Sequence, residues 1–248
     1  MTLPQQFPVV LVTGAARRIG AAIVRALHAD GWRVLIHHRR SAQAARQLAA
    51  ELNAVRAGSA ATLAADLLEV DALGELAARA HARFGRLDAL VNNASGYYAT
   101  PFAQLTASQL DELLTTNFKA PLLLTRALLA YFGPDARVVN VLDTLAHRAR
   151  PGFIAYGSAK AALWAATATL AAELAPAVRV NGVAPGHILW AETVALGEAG
   201  RRRELERVPL GRLGTPQEVA AAVRFLLSPQ ADYLTGTILP VDGGLCLR

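Results

Sequence analysis

The chain has few of the features that cross-link a protein by disulfides or anchor it in a membrane. Its 248 residues include one cysteine, Cys246, so no disulfide can form within the chain. It has no run of 18 or more apolar residues, which predicts no transmembrane helix and no membrane partner. The segment from Met1 to Pro8 lacks a basic stretch followed by an apolar one, so we expect no secretory signal. A reducing, cytoplasmic location fits these absences.

Lysine is also scarce, although the net charge is +6. Only two of the 25 Lys and Arg residues are lysines, Lys119 and Lys160. The arginines are scattered and form no basic stripe with aromatics, so we expect no nucleic-acid partner. The segment from Arg201 to Arg207 is interpreted as a solvated helix face, with attraction of an acidic substrate tail as the alternative. His147 and His187 share no metal-ligand spacing, and we predict no metal site.

Short apolar runs alternate with segments of helical periodicity along the whole chain. The pattern predicts strands at 8–12, 32–37, 61–65, 87–91, 137–142, 178–183 and 237–241. It predicts helices at 19–29, from a Ser41 cap to 52, at 71–84, at 108–131 with a kink at Pro121, at 156–174 and at 216–227, and helical portions within 188–206. This alternation indicates an α/β fold with a doubly wound parallel sheet and helices on both faces.

No linker or repeat divides the chain, so we predict one dinucleotide-binding catalytic domain over residues 1–248. Its cofactor half is expected at about 1–140, and its substrate-binding elements at about 143–210. In such sheets ligands bind at the carboxyl ends of the strands, and the chemistry should lie there.

A glycine-containing turn follows the first predicted strand, in the sequence Thr13-Gly14-Ala15-Ala16-Arg17-Arg18-Ile19-Gly20. Glycines allow a close approach of the backbone to a pyrophosphate, and the free N–H groups of the next helix favour that anion. A purely structural turn remains the alternative. The turn nevertheless predicts a dinucleotide site after the first strand.

The end of the second strand indicates which nicotinamide cofactor binds. An NAD enzyme usually carries an acid there, but this chain has His37-His38-Arg39-Arg40-Ser41. Guanidinium groups and a hydroxyl suit a 2′-phosphate, and Arg18 is placed to reach it, so we predict NADPH. Asp66, after the third strand, is a candidate for binding the adenine amino group or for capping a helix.

Tyr156 and Lys160 open the helix predicted at 156–174. Residues four apart share one helical face, and an ammonium beside a phenol lowers the pKa of the phenol. The pair therefore predicts a proton donor that works near neutral pH.

Several motifs together resemble those of the short-chain dehydrogenase/reductase family: Thr13-Gly14…Gly20, Asn92-Asn93-Ala94, Asn117, Tyr156…Lys160 and Pro185-Gly186. The resemblance covers nearly the whole chain and implies a Rossmann-like fold, a homotetramer or dimer, and a Ser–Tyr–Lys active site supported by Asn117. It implies that the cofactor is lined by the turn residues Gly14, Arg18, Ile19 and Gly20, the patch His38 to Ser41, Asp66, Leu67, Asn93, Ala94, Ser95, Tyr156, Lys160, Pro185 and Gly186.

The chain departs from the family where the catalytic serine normally lies, thirteen residues before the tyrosine, because that position is Asp143. A carboxylate repels a developing oxyanion, yet it can accept from ring N–H groups or relay a proton to a ring nitrogen. The departure is similar to the pteridine reductase branch of the family. That resemblance implies a catalytic trio of Asp143, Tyr156 and Lys160, with Arg18, Ser95 and Tyr97 contacting the pterin.

The sequence therefore predicts an NADPH-dependent reductase of a dihydropterin, with dihydrofolate as a further candidate substrate. One alternative is a family member that acts on an unrelated carbonyl or imine, with Asp143 only a turn residue and Tyr97 only a loop aromatic. A more remote alternative is a non-catalytic regulator that binds NADP or nucleic acid.

Overall fold

Seven parallel strands form one sheet in the computed structural model, which describes residues 7–190 and 197–247. The strands are β1 (Val9–Val12), β2 (Arg33–His38), β3 (Ala60–Ala64), β4 (Leu87–Asn92), β5 (Phe132–Val141), β6 (Val178–Pro185) and β7 (Ile238–Val241). Their order is β3-β2-β1-β4-β5-β6-β7, so the order reverses between β1 and β4. A crevice opens at such a switch point, at the carboxyl ends of the strands. The predicted fold class is confirmed.

Helices cover both faces of the sheet because the strand side chains alternate between two apolar layers. Val10 and Val12 pack under α1 (Arg18–Ala29), α2 (Ala42–Val55) and α8 (Pro216–Leu226). Val9 and Leu11 pack under α3 (Leu73–Phe84), α5 (Ala120–Leu128) and α6 (Ile154–Leu174). All four side chains are fully buried. The remaining described helices are α4 (Ala107–Leu114) and α7 (Glu198–Glu206).

The helix predicted at 108–131 is interrupted. A wide, π-type turn at Thr115–Lys119 separates α4 from α5, and α5 ends at Leu128. Pro121 has no N–H and its ring crowds the carbonyl four residues earlier, which is that of Asn117. The distortion therefore lies ahead of the proline, and it places Asn117 inside the widened turn, a feature common at functional sites.

Two other element predictions need correction. Ser41 occupies the position before α2, but in the part of the chain described here its side chain accepts no capping hydrogen bond. β5 begins at Phe132, five residues before the predicted start, because the chain pairs with β4 through an irregular register near Leu87. The helical portion expected within 188–206 is α7, while residues 191–196 lie outside the described ranges.

Among the described helices, none combines the length and the apolarity needed to cross a bilayer.

Candidate active site

A cavity of about 680 Å³ lies at the carboxyl ends of the strands. That size is typical of a cofactor or small-molecule site. Most of the predicted site residues line it: Gly14, Arg18, Ile19, Gly20, His38, Arg39, Arg40, Ser41, Asp66, Leu67, Asn93, Ala94, Ser95, Tyr97, Asp143, Tyr156, Lys160, Pro185 and Gly186. Asn117 lies behind the wall and not in it.

The glycine turn after β1 forms a tight cradle. Gly14 has a φ of +60°, and a Cβ there would lie 2.8 Å from the Cα of Ala94. A Cβ at Gly20 would lie 2.5 Å from the Gly14 carbonyl oxygen and 2.7 Å from the Asn93 amide nitrogen. Side chains at these positions would push the turn away from the start of α1. The cradle therefore fits a pyrophosphate against the first amides of that helix.

The β4 end fixes the cradle from one side. The Asn93 side-chain amide donates to the carbonyl oxygens of Thr13 (2.9 Å) and Gly14 (3.1 Å). In return, the Thr13 hydroxyl accepts from the backbone N–H groups of Asn93 (2.9 Å) and Ala94 (3.0 Å). Asn93 thus holds the turn as well as facing the cavity.

The charged groups of the basic patch after β2 differ in how far they are available to a ligand in the cavity. The Arg39 guanidinium is paired with Asp66 at 2.7 Å, and the other carboxylate oxygen of Asp66 accepts from the Leu68 N–H at 3.1 Å. Asp66 therefore both closes a turn and neutralises Arg39. Arg40 is exposed and Ser41 half-buried at the cavity rim.

His38 in the same wall has a buried Nδ1 with no hydrogen-bond partner among the described residues. An unpartnered buried polar atom is costly, and a bound phosphate or ribose group would satisfy it. This atom and the glycine cradle fit a nicotinamide dinucleotide with its adenosine end between β2 and β3. The turn, the patch and the Pro185-Gly186 segment are the residues that would hold it.

Arg18 lies where the cradle opens toward the rest of the cavity. Its φ is +52°, a left-handed conformation unusual for a residue with a side chain. Its guanidinium donates to the carbonyl oxygen of Trp190 at 3.4 Å. This contact brings the turn beside the segment that follows β6, where Trp190 lines the cavity.

Asp143 and Tyr156 are directly hydrogen-bonded. The Tyr156 hydroxyl donates to Oδ2 of Asp143 at 2.7 Å, while Oδ1 accepts from the Leu145 N–H at 2.8 Å. Asp143 therefore caps a short 3₁₀ turn, as a turn residue would, and also accepts a hydrogen bond from Tyr156. Lys160 donates to the carbonyl oxygen of Val141 at 2.8 Å, and its Nζ lies 5.9 Å from the centre of the Tyr156 ring.

The pKa directions differ from the one predicted for the Tyr–Lys pair. Burial, and then the negative charge and hydrogen bond of Asp143, raise the pKa of Tyr156 well above its usual value. Burial also raises the pKa of Asp143 and lowers the pKa of Lys160 to about 8. The prediction that Lys160 lowers the Tyr156 pKa is wrong here, because desolvation and a neighbouring carboxylate outweigh the ammonium. Tyr156 therefore holds its proton at neutral pH.

Tyr97 lies against Tyr156. Its ring meets the Tyr156 ring edge-on, with centres 4.7 Å apart, and stacks on Phe153 at 4.9 Å. The Arg150 guanidinium donates to the Tyr97 hydroxyl at 3.3 Å and lies 4.8 Å from the Phe153 ring centre. These contacts fix the Tyr97 ring in the cavity wall beside the Tyr156 ring.

Asn117 supports the wall from behind. It is fully buried, and its amide donates to the carbonyl oxygens of Gly96 (3.0 Å) and Leu113 (2.9 Å). Its own carbonyl oxygen accepts from the Ser95 hydroxyl at 2.7 Å. Asn117 thus holds the Ser95 hydroxyl, and these hydrogen bonds reach neither Tyr156 nor Asp143.

Sequence reasoning missed several cavity residues. Arg148 and Arg150 also line the cavity, yet nothing in their spacing marks them. His187 also lines the cavity, and it pairs with Glu204 of α7 at 3.1 Å. His37 bonds the glycine turn, and its place at the end of a strand beside that turn was the available clue. In the described part of the chain, no three His, Cys, Asp or Glu side chains gather as a metal site requires.

Comparisons with known proteins agree with the fold and the motif order. The family model described as enoyl-(acyl carrier protein) reductase matches residues 14–246. The chain is 36% identical to pteridine reductase 1 of Leishmania tarentolae, over 100% of this chain and 99% of that one. It is 35% identical to a 3-oxoacyl-[acyl-carrier-protein] reductase of Synechocystis sp., over 96% of this chain and 97% of that one. The solved structure of a mutant short-chain dehydrogenase/reductase of Serratia marcescens superposes with a TM-score of 0.91 at 31% identity. The match covers 98% of this chain and 100% of that chain.

Proposed function

The chain belongs to the short-chain dehydrogenase/reductase family of oxidoreductases, which use nicotinamide cofactors, and we propose that it is an NADPH-dependent pteridine reductase. It reduces a C=N bond of a dihydropterin, dihydrobiopterin or dihydromonapterin, to the tetrahydro form, with dihydrofolate as a further candidate. The observation that carries the proposal is the hydrogen bond from Tyr156 to Asp143.

A carboxylate beside the proton donor favours a nitrogen heterocycle over a ketone. A developing alkoxide near the Asp143 carboxylate would be repelled, whereas ring N–H groups would be attracted as hydrogen-bond donors. Arg150 and Tyr97 add a flat, partly cationic wall next to Tyr156. A pterin is planar and has donors and acceptors on its edges, which matches such a wall.

The residues supply the proton and hold the ring. When bound, the nicotinamide supplies the hydride. Tyr156 gives its hydroxyl proton to the ring nitrogen adjacent to the carbon that is reduced, so that C=N becomes CH–NH. The charge of Lys160 stabilises the tyrosinate left behind, and Asp143, whose pKa is raised by burial, can carry the proton that restores it.

NADPH is proposed over NADH because of the groups after β2. Arg40 and Ser41 lie at the rim, and His38 has an unpartnered Nδ1 among the described residues, whereas no acidic residue occupies 37–41. Arg39 contributes less charge to this site because Asp66 neutralises it. A 2′-phosphate is therefore favoured over a 2′-hydroxyl.

A second candidate function is reduction of an unrelated carbonyl or imine. The similarity to a 3-oxoacyl-[acyl-carrier-protein] reductase, at nearly the same identity as the similarity to a pteridine reductase, favours it. The two candidates differ in what they require of Asp143, which only the first uses.

The test follows NADPH oxidation with dihydrobiopterin, dihydromonapterin, dihydrofolate and a 3-oxoacyl thioester, for the wild type and for Asp143→Ser. We expect wild-type turnover of at least one dihydropterin, and at least a tenfold shift of relative kcat/KM toward the thioester in the variant, since one lost charge-assisted hydrogen bond is worth about that much. No turnover of any pterin by the wild type would refute the proposal. Thioester turnover in both proteins would support the second candidate.

The homotetramer and the cytoplasmic location also belong to the proposal. Light scattering coupled to size-exclusion chromatography tests the first. A mass of one or two chains would contradict it.

A further inference from the structure

One histidine holds the glycine cradle from the side of β2. Nδ1 of His37 accepts a hydrogen bond from the Gly14 N–H at 3.1 Å, and the His37 carbonyl oxygen accepts one from the Ala15 N–H at 2.8 Å. Two successive amides of the cradle are therefore fixed by one residue. Asn93 holds the Gly14 carbonyl oxygen from the opposite side at 3.1 Å.

The partners of the ring determine its tautomer. Nε2 of His37 lies 3.2 Å from the carbonyl oxygen of Ala65, which can only accept. The Gly14 N–H can only donate, so Nδ1 must carry a lone pair and Nε2 must carry the proton. The neutral ring thus links the cradle to the segment after β3 that carries Asp66.

The surroundings of the ring disfavour a second proton. His37 is 2% exposed, and the charged or titratable groups facing it are His38 on its own strand, Asp66 after β3 and Arg79 on α3. Burial lowers the pKa of His37 to about 4. The bond to Ala65 and the charge of Asp66 oppose this lowering only in part, while His38 and Arg79 add to it. The ring therefore keeps its acceptor at neutral pH.

We propose that His37 is a positioning residue for the cofactor: its neutral, Nε2-protonated ring accepts the Gly14 N–H, and so fixes the shape of the turn that faces the pyrophosphate and ties that turn to the segment after β3. The inference rests on a nicotinamide dinucleotide binding at the glycine cradle, and not on the choice of NADPH or of a pterin. Protonation of Nδ1 would turn the acceptor into a donor facing the Gly14 N–H, so the cradle would have to open.

Three substitutions separate the two hydrogen bonds. His37→Asn keeps an acceptor near Nδ1, His37→Gln keeps a donor near Nε2, and His37→Phe keeps only the ring volume. Titration of each purified protein with NADPH, followed by fluorescence, gives the Kd. We expect the Asn variant to stay within about threefold of the wild type and the Gln and Phe variants to bind at least about tenfold more weakly, because a buried donor loses its acceptor.

His28 offers the matched control, since it is also a buried histidine with a hydrogen bond, 2.7 Å from the Ser59 hydroxyl, but lies near the far end of α1. His28→Phe should lower the Tm without changing the Kd for NADPH. An unchanged Kd for NADPH in His37→Phe would overturn the proposal. So would a rise in Kd that is as large in His28→Phe as in His37→Phe for the same loss of Tm.

A second measurement reads the tautomer of His37 in the wild-type protein itself. The ¹⁵N NMR chemical shifts of the His37 ring in the wild-type protein report its tautomer. The signals are assigned as those that are missing from the spectrum of His37→Asn, recorded on purified protein or in cell lysate. At pH 6 we expect a neutral ring protonated on Nε2, and a charged ring or an Nδ1-protonated ring would refute the inference. An absence of pterin turnover with an intact NADPH Kd would refute the proposed substrate and leave the role of His37 standing.

Discussion

The hydroxyl of Tyr156 donates a 2.7 Å hydrogen bond to Oδ2 of Asp143, thirteen residues earlier in the chain. The bond joins the turn that follows β5 to the first turn of α6, so the hydroxyl and its acceptor are held by two different elements. Asp143 is fixed in turn by the Leu145 N–H. This arrangement keeps Tyr156 protonated at neutral pH, and it makes the hydrogen-bonded pair, not the tyrosine alone, the unit to test.

Removing the Tyr156 hydroxyl should abolish most turnover. Tyr156→Phe is expected to lower kcat at least about a hundredfold, the effect of losing a general acid, while NADPH still binds. Steady-state kinetics and an NADPH titration check both parts. Tyr233→Phe is the control, because Tyr233 is fully exposed and should give wild-type kinetics. A Tyr156→Phe enzyme with near-normal kcat would exclude this residue as the acid.

Activity should fall as the pH rises through about 8. Burial lowers the pKa of Lys160 to about 8, so above that pH its ammonium loses the charge that stabilises the tyrosinate. Tyr156 cannot cause this loss, because its own pKa is raised well above the usual value. The pH profile of kcat measures it.

Lys160→Arg tests the assignment of that alkaline limb. We expect the variant to be less active than the wild type. A guanidinium stays charged throughout the accessible pH range, so the activity of the variant should not fall until a higher pH. An identical alkaline limb in both enzymes would show that another group titrates.

Cofactor preference should depend more on Arg40 than on Arg39. Arg40 is exposed at the rim, whereas Arg39 is paired with Asp66. Arg40→Ala is expected to lower the ratio of kcat/KM for NADPH over NADH at least about tenfold, as for a lost charge-assisted hydrogen bond, and Arg39→Ala to lower it less. Arg46→Ala, an exposed position on α2, controls for net charge. A wild-type enzyme that prefers NADH would contradict the assignment of this patch.

Tyr97 should affect substrate binding through its ring and hardly at all through its hydroxyl. Tyr97→Ala is expected to raise KM for a dihydropterin about tenfold, because ring stacking contributes on the order of 1 kcal/mol beyond burial. Tyr97→Phe removes the hydroxyl that contacts Arg150 and should stay within about threefold, since a single partly buried hydrogen bond has a small net value. Equal effects of the two substitutions would assign the role to the hydroxyl instead.

The sequence determined the fold and the strand-end positions of the site. Alternating apolar runs and helical segments predict a doubly wound sheet, because each strand must be covered on both faces. That architecture brings residues as distant as Gly14, Asp66, Asn93, Tyr156 and Gly186 to one edge, and all of them line the cavity. Asp143 was also visible from the sequence, as an acid at the position where the family has serine.

Only the tertiary structure decided how these groups are paired and charged. Partner choice depends on distances across elements far apart in the chain, as in the pairing of Arg39 with Asp66, and no local pattern encodes those distances. The pKa of Tyr156 is raised where helical spacing predicted a lowered one, because burial and the Asp143 carboxylate outweigh the ammonium four residues on. His37 acquires its role in the same way, since its two ring nitrogens face groups 23 and 28 residues distant in sequence.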